Sequence, residues 1–429
     1  MPKSRVIIIG VAGLIVVFFL LLFTGIIPGL RPPSTDKTKV KLNFWGVFDS
    51  PEAMNSILEE IPGFEVSYRS LNPETYESDL INALASGRGP DVFMIHSSWL
   101  PKHSDKLAPA NADQISLESL RSLYPTVVEQ DFAPDQFVYG LPLYLDTLVL
   151  FYNRDIFDSK GVAEPPKTWA DFERLVTKLR ELDSSGRIIK AAAAIGGSNK
   201  SVNRATDLLS VLMLQSGLPM VSADFERAVF AEDGGQSLSF YTKFANPVST
   251  LYTWNDSLKN SLDNFSEEGV AMIFNYGYQT ENLKAKNPFL KFGVAPLPQP
   301  QGAAKTVNFA NYWGIGVSNR FQNPRAAWNF ILSLAADPKI VSRYAESMNR
   351  LPALRSLISE LTDDPFWGVF GKQALSARSW PQIDSVEVDK IFSNMIEQVI
   401  TGRSDINRAL EEAESAVTRL MRIKRGNLE

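Results

Sequence analysis

The sequence predicts an α/β fold in at least two lobes, preceded by one N-terminal transmembrane helix. Three observations predict it. At 429 residues the chain is too long for a single hydrophobic core. Through about the first 100 residues strand-like and helix-like patterns alternate, which favours a mainly parallel sheet with helices on both faces. Val6 to Ile27 is an uncharged apolar run of about 22 residues, enough for a hydrocarbon core of about 30 Å.

The exit of that run, "PGLRPP", lacks the small-residue pattern of a cleaved signal, so the segment reads as an uncleaved anchor. Lys3 and Arg5 precede it, while Arg31, Lys37, Lys39 and Lys41 follow it, so flanking charge does not fix its orientation. "RPPSTDKTK" is a polar, Pro-bearing tether.

"VKLNFWGVF" is then a strand pattern, Pro51 to Glu60 a helix and "FEVSYRS" a strand. Tyr76, Leu80, Ile81 and Leu84 recur at helical spacing, and "SGRGPD" ends that helix through Gly87, Gly89 and Pro90. "DVFMI" and "LVLFYN" are short strands. Thr168 to Asp171, "TWAD", has capping-box spacing with Asp in the Glu/Gln position, and the helix behind it buries Phe172, Leu175, Val176 and Leu179. "GVAMIFN" is a strand. Gly314 to Val317, "GIGV", starts a strand suited to close backbone packing, and Pro324 opens the helix "PRAAWNFILSLAA". The last helix runs from about Asp405 to Met421, with Leu410, Val417 and Leu420 on its apolar face.

Composition removes several function classes. Hydrophobic residues make up 45% and charged residues 21%, an ordinary globular balance. The net charge of -5 gives no basic field for nucleic acid. Cysteine is absent, which excludes disulfides, thiolate nucleophiles, Cys-based zinc sites and a lipid-modified Cys. His96 and His103 are the two histidines, and their spacing is not that of a helical zinc pair. "HSS" has no nucleophile-elbow context, and "GGSNKS" lacks the spacing of a phosphate loop. No cofactor or metal is expected.

Four motifs, "ALASGRGPDVFMIHSSWL", "YGLPLYLDTLVLFYNRDIF", "PPKTWADFERLVTKL" and "EEGVAMIFNYGY", occur in that order. Together they make the chain resemble the family 1 extracellular solute-binding proteins of bacterial ABC importers, the group that includes maltose-binding protein. The resemblance covers nearly everything after the anchor. It implies a two-lobed periplasmic-binding-protein fold with a ligand cleft at the hinge, crossed more than once by the chain. The expected divisions are 1–30 anchor, 31–40 tether, 41–145 with 296–350 for the first lobe, and 146–295 with 351–429 for the second. It also implies an extracytoplasmic, monomeric binding domain held to the cell membrane, a small-molecule solute, and permease subunits as partners.

Ligands of open α/β sheets sit beyond the carboxyl ends of strands. Asp49 follows "LNFWGVF", Ser97, Ser98 and Trp99 follow "DVFMI", Tyr144 and Asp146 precede "LVLFYN", and Asn275, Tyr276 and Tyr278 follow "VAMIF". "ANYW" adds Asn311, Tyr312 and Trp313 at the junction of a loop and a strand. Carboxylates, amides and hydroxyls suit the hydroxyl rim of a sugar, and aromatic rings suit its C–H faces. By resemblance, Asp49 and Asp146 fall where the maltose-binding branch has acidic hydroxyl acceptors, and Tyr278 and Trp380 fall near its stacking rings. Ser98 and Trp99 depart from that branch, standing where it has an acid–arginine pair.

Competing readings accompany these residues. Asp49 is either a cap for the helix from Pro51 or a ligand acceptor. Trp99 and Trp380 are either core or cleft. Tyr276 and Tyr278 alternate, so one faces inward and the other toward the cleft; of Tyr312 and Trp313 only one meets ligand fully, with Trp313 expected on the ligand platform and Tyr312 packed toward the hinge. The expected function is capture of a sugar or oligosaccharide for an ABC importer by hinge closure, not catalysis. The rival readings are a tethered glycoside hydrolase using Asp49 and Asp146, and a ligand sensor uncoupled from transport.

Overall fold

The computed structural model describes residues 39–426. The expected anchor at Val6–Ile27 and nearly all of the tether lie outside these residues. Among the described residues no helix is long and apolar enough to cross a membrane. Residues 42–61 and those from 66 onward form one compact unit, and 62–65 group with the segment ending at Lys41. The described part of that smaller group holds the start of a strand against the following turn, where Val40 N–H donates to the Gly63 carbonyl at 3.0 Å.

In chain order the strands are β1 (Val40–Val47), β2 (Phe64–Leu71), β3 (Val92–His96), β4 (Leu107–Ala108), β5 (Leu141–Pro142), β6 (Val149–Asn153), β7 (Glu181–Leu182), β8 (Ile188–Ala193), β9 (Val270–Asn275), β10 (Phe292–Ala295), β11 (Asn308–Phe309), β12 (Trp313–Ser318) and β13 (Ala377–Arg378). They make two sheets, one per lobe, and a short ribbon. The first sheet has the order β2-β1-β3-β12-β4, with β5 also on β12; the second has the order β10-β6-β9-β8-β7; β11 pairs with β13. The central strands β3 and β9 are almost wholly buried, as expected for strands covered on both faces.

Local sequence explains the helices. Thr168 and Asp171 form the reciprocal capping box ahead of Trp169–Leu179. Asn323 caps Pro324–Ala335, which lies on β12, and Pro338–Met348 lies on Pro51–Leu58. Gly314 and Gly316 allow the close packing that "GIGV" predicts. A Cβ on Gly314 would meet the Phe132 ring at 2.7 Å, and one on Gly316 would meet Leu107 at 2.5 Å.

The expectation of a mainly parallel sheet is corrected. β1 with β3 and β8 with β9 are parallel, but β12 runs antiparallel to β3, and β6 runs antiparallel to β9. Each sheet receives one strand from chain that has just left the other lobe, and that strand enters in the opposite sense. The crossing segments run side by side: Asn311 N–H donates to the Asp146 carbonyl at 3.0 Å and Leu148 N–H to the Phe309 carbonyl at 2.9 Å.

Beyond the expected lobe boundary at residue 350 the chain keeps bonds to the segment before residue 146. Ala353 N–H donates to the Leu143 carbonyl at 3.0 Å, and Arg355 Nε donates to the Tyr124 carbonyl at 2.7 Å. The helix Arg355–Glu360 therefore stays with the first lobe, beside Leu117–Leu123. The helices Ser385–Ile400 and Ile406–Gly426 pack on each other and on the second lobe.

Candidate functional site

Antiparallel insertion decides which side chains meet at the cleft. Trp313 pairs with His96, so the start of β12 lies beside the end of β3. Val149 pairs with Asn275, so the chain entering β6 lies beside the loop leaving β9. Both sheets thus present a strand end and a strand start at one edge. Between those edges lies a cleft of about 630 Å³, within the roughly 300–1,000 Å³ range of small-molecule sites.

The first-lobe wall is aromatic. Trp313 has its ring centroid 5.0 Å from Trp99, 5.2 Å from His96, 5.7 Å from Tyr76 and 5.8 Å from Phe48, all edge-on. Trp99 stacks on Tyr76 at 6.1 Å. Phe48 is 53% exposed and has φ 67°, a left-handed conformation that costs a non-glycine residue about 1–3 kcal/mol. Ser97 and Ser98 line the same wall. Ser98 Oγ lies 2.7 Å from His96 Nδ1, and His96 Nε2 lies 3.0 Å from Asn311 Oδ1. Burial pushes the His96 imidazole down to about 4, with the Arg204 charge adding to the depression and the Asn311 bond opposing it. Tyr144 lies further along, with the Arg350 guanidinium 4.1 Å above its ring.

The second-lobe wall sets charged and hydroxyl groups beside the Trp367, Trp380 and Phe392 rings. Arg204, at φ 68°, precedes the helix Ala205–Gln215. Its guanidinium lies 5.8 Å from the Tyr278 ring, bonds the Tyr278 hydroxyl and sits 3.8 Å from Asp207 Oδ2. Tyr278 is 46% exposed. Asp389 accepts from Thr206 and from Asn199. Trp380 is buried at the back, 5.8 Å from Phe392, with Nε1 3.4 Å from Ser210 Oγ.

Asp146 lies on the cleft, yet most of its capacity is spent on the fold. Oδ1 accepts from Thr147 N–H at 2.8 Å and Gly277 N–H at 2.9 Å, and Oδ2 accepts from Tyr278 N–H at 3.1 Å. Burial raises its pKa to about 6, against the pull of those three donors and of Arg350. A carboxylate has about four acceptor positions, so one remains on Oδ2 for a ligand hydroxyl.

Nine of the expected residues line the cleft: Ser97, Ser98, Trp99, Tyr144, Asp146, Tyr278, Asn311, Trp313 and Trp380. Four do not. Asp49 is sealed from the cleft: its Oδ2 accepts from the Tyr344 hydroxyl at 3.0 Å, and Oδ1 lies 3.0 Å from Arg350 in an off-line ion contact. Nor is it the helix cap, because Ser50 holds that position. Burial raises its pKa, with Arg350 and Tyr344 opposing. Asn275 is interior, donating to Asn203 at 2.9 Å and accepting from Tyr276 N–H at 3.0 Å. Tyr276 points inward to Asp207 at 2.8 Å while its neighbour Tyr278 faces the cleft. Tyr312 is fully buried against Phe132, with its hydroxyl donating to Asp131 at 2.7 Å. The Asp49–Asp146 pair of the glycoside-hydrolase reading is therefore not brought together across the cleft, since Asp49 does not line it.

Sequence reasoning missed Phe48, His96, Arg204, Asp207, Arg350 and Asp389, all on the cleft. His96 ends β3, so the strand-end rule could have found it. Arg350 reaches the site from the turn after the helix Pro338–Met348 and Asp389 from the helix Ser385–Ile400, and nothing in their neighbouring residues signals this. Among the described residues no group of three His, Asp or Glu is placed to hold a metal ion.

Residues 48–337 match the model of the bacterial extracellular solute-binding protein family. The galactooligosaccharide-binding protein of Bacillus subtilis (strain 168) is 23% identical over 403 residues, covering 90% of this chain and 91% of that relative. An ABC transporter solute-binding protein from Thermotoga lettingae, solved with alpha-D-tagatose, aligns with TM-score 0.68 at 21% identity over 89% of this chain and 100% of that one. The sugar-binding protein MalE of Xanthomonas citri aligns with TM-score 0.76 at 20% identity over 91% and 99%. At these identities the structural neighbours show a shared two-lobed α/β fold.

Proposed function

The chain belongs to the bacterial extracellular solute-binding protein family, and from that premise we propose that it captures a sugar or oligosaccharide and delivers it to an ABC importer. The observation that carries this reading is the pairing of unlike walls around one cleft. A sugar ring has apolar C–H faces and a rim of hydroxyls. Trp313, Trp99 and Phe48 offer rings for the faces, while Asp146, Asn311 and Asp389 offer partners for the rim. The relatives named for galactooligosaccharides and solved with tagatose support the same ligand class. Ligand touching both walls stabilises the form in which they approach, by its differential affinity for that form.

The test is thermal unfolding of the full-length chain in a non-glycosidic detergent, with maltotriose, galactotriose and tagatose as probes. A ligand that binds only the folded state adds about 2.7 kcal/mol at a hundredfold excess over Kd. A rise in melting temperature with at least one of these supports the reading. A rise with peptides or polyamines and none with carbohydrates overturns it.

The apolar run Val6–Ile27 supports membrane attachment, and the family match supports the binding domain on the extracytoplasmic side. Attachment by apolar burial survives a high-salt wash, because salt screens only charge. Release of a shortened soluble form from cells would contradict an uncleaved anchor.

A further inference from the structure

His96 Nδ1 faces two donors from Ser98: the hydroxyl at 2.7 Å and the backbone N–H at 3.3 Å. A backbone N–H can only donate, so Nδ1 is an acceptor and carries no proton. The proton of the neutral imidazole then sits on Nε2, 3.0 Å from Asn311 Oδ1. Asn311 Oδ1 is thereby committed to accepting, and its Nδ2 is left pointing elsewhere. Nδ2 hydrogen-bonds to no protein group among the described residues, is not sealed in the interior, and belongs to a residue that lines the cleft.

We propose that His96 is a positioning residue: held as the Nε2–H tautomer, it locks the Asn311 amide so that its NH2 group, and not its carbonyl, faces the ligand. The proposal rests on the reading of the cleft as the ligand site. Burial keeps the imidazole neutral, and the nearby Arg204 charge acts in the same direction. The backbones of Asn311 and Asp146 are joined by a hydrogen bond of 3.0 Å. The cleft therefore carries a fixed donor, Asn311 Nδ2, and the one unused acceptor position of Asp146 Oδ2, both on residues that line it. A hydroxyl both accepts and donates, so a solute bearing several hydroxyls suits both groups. An ammonium can only donate and meets the Asn311 NH2 group unfavourably. His96 thus favours, at Asn311, a solute group that accepts a hydrogen bond, as a hydroxyl does and an ammonium does not.

The test uses the ring-nitrogen NMR spectrum of the ligand-free, full-length, 15N-labelled chain. The sequence has two histidines, so His103→Gln assigns the remaining imidazole to His96. The expected spectrum shows an unprotonated Nδ1 and a protonated Nε2. His96→Leu should shift and double the Asn311 side-chain amide signals as the amide becomes free to turn. His96→Gln, which returns a donor toward Asn311, should restore a single pair. A protonated Nδ1 in the wild type, or Asn311 signals unmoved by His96→Leu, overturns the proposal. No ligand is present, so this failure is distinct from failure of the carbohydrate reading.

Discussion

In the first lobe β12 begins beside the end of β3 and presents Trp313; in the second, the chain entering β6 lies beside the end of β9 and presents Asp146. The two places are topological equivalents carrying opposite chemistry. Trp313 sits among rings that support one another, so that wall is formed before any ligand arrives. Asp146 ties down the loop at Gly277 and Tyr278 while keeping one acceptor position open. Both walls also carry left-handed non-glycine residues, Phe48 and Asn349 on the first and Arg204 on the second. The difference teaches that the first wall supplies contact area with little choice of orientation, while the second, with Asn311, supplies orientation.

The largest expected effect falls behind the aromatic wall. Asp49→Asn removes the charge that faces the buried Arg350 guanidinium. Breaking a buried ion pair from one side costs about 3–5 kcal/mol, read as a loss of unfolding free energy in urea. A loss of affinity with unchanged stability would instead return Asp49 to the ligand.

Asp146→Asn tests the opposite wall. The amide keeps the shape but turns an NH2 group toward one of the three backbone donors. Charge-assisted bonds are worth about 1.5–3 kcal/mol, so both stability and affinity should fall, with the Tyr278 loop loosened. Affinity lost with no change in hydrogen exchange at Gly277 and Tyr278 would mean that the loop does not depend on this carboxylate.

Tyr312→Phe separates the neighbours in "ANYW". It removes the hydroxyl that bonds Asp131 and should cost about 1–3 kcal/mol of stability, with affinity nearly unchanged. Burial raises the Asp131 pKa from 3.8 to about 7, with Ser379 and Tyr312 opposing. The folded chain then binds this proton more tightly than the unfolded chain. The stability it contributes is full below 3.8 and is lost as the pH rises through about 7. Asp131→Asn should flatten that part of the melting-temperature profile; an unchanged slope would remove Asp131 as its source.

The smallest effect is expected where the lobes touch away from the hinge. Lys102 Nζ, on the first lobe, lies 2.7 Å from Glu77 and 2.8 Å from Asp384, which caps a second-lobe helix. Asp384→Asn keeps the cap and weakens the contact. Asp384 is nearly buried, but Lys102 is 20% exposed and keeps Glu77 as a partner, so the loss should stay near 1 kcal/mol, about the upper end for an accessible pair, and affinity should fall by only a few-fold and lose some of its salt dependence. A loss as large as that of Asp146→Asn would show that closure depends on this contact and not on ligand.

Elements carried by local pattern were legible in the sequence. The capping box at Thr168 and Asp171, the buried runs in β3 and β9 and the Pro324 helix all depend on residues a few positions apart. The sense of β6 and β12 was not legible, because it depends on where the chain has been before it enters each sheet. Trp313 and Tyr312 were separated as expected, and the strand sense supplies the reason. Alternation along the strand placed them on opposite faces, but only pairing with His96 puts Trp313 at the ligand edge. Asp49 misled because a carboxylate after a strand has the same local sequence whether it meets ligand or a distant arginine. Its partner, Arg350, is 301 positions away (350 less 49).

The most direct test of the account is calorimetric titration of the wild-type chain and Trp313→Ala with the trisaccharide that gives the larger thermal shift. Trp313 is packed among four rings, so its loss should cost about 3 kcal/mol of stability, the lower end for a buried ring. The folded variant should also bind at least about tenfold more weakly, because apolar contact with the sugar face is worth about 25 cal/mol per Å². The account predicts saturable heat at one site for the wild type and this weakening for the variant. Equal affinity for both, or no saturable heat with either maltotriose or galactotriose, would contradict it.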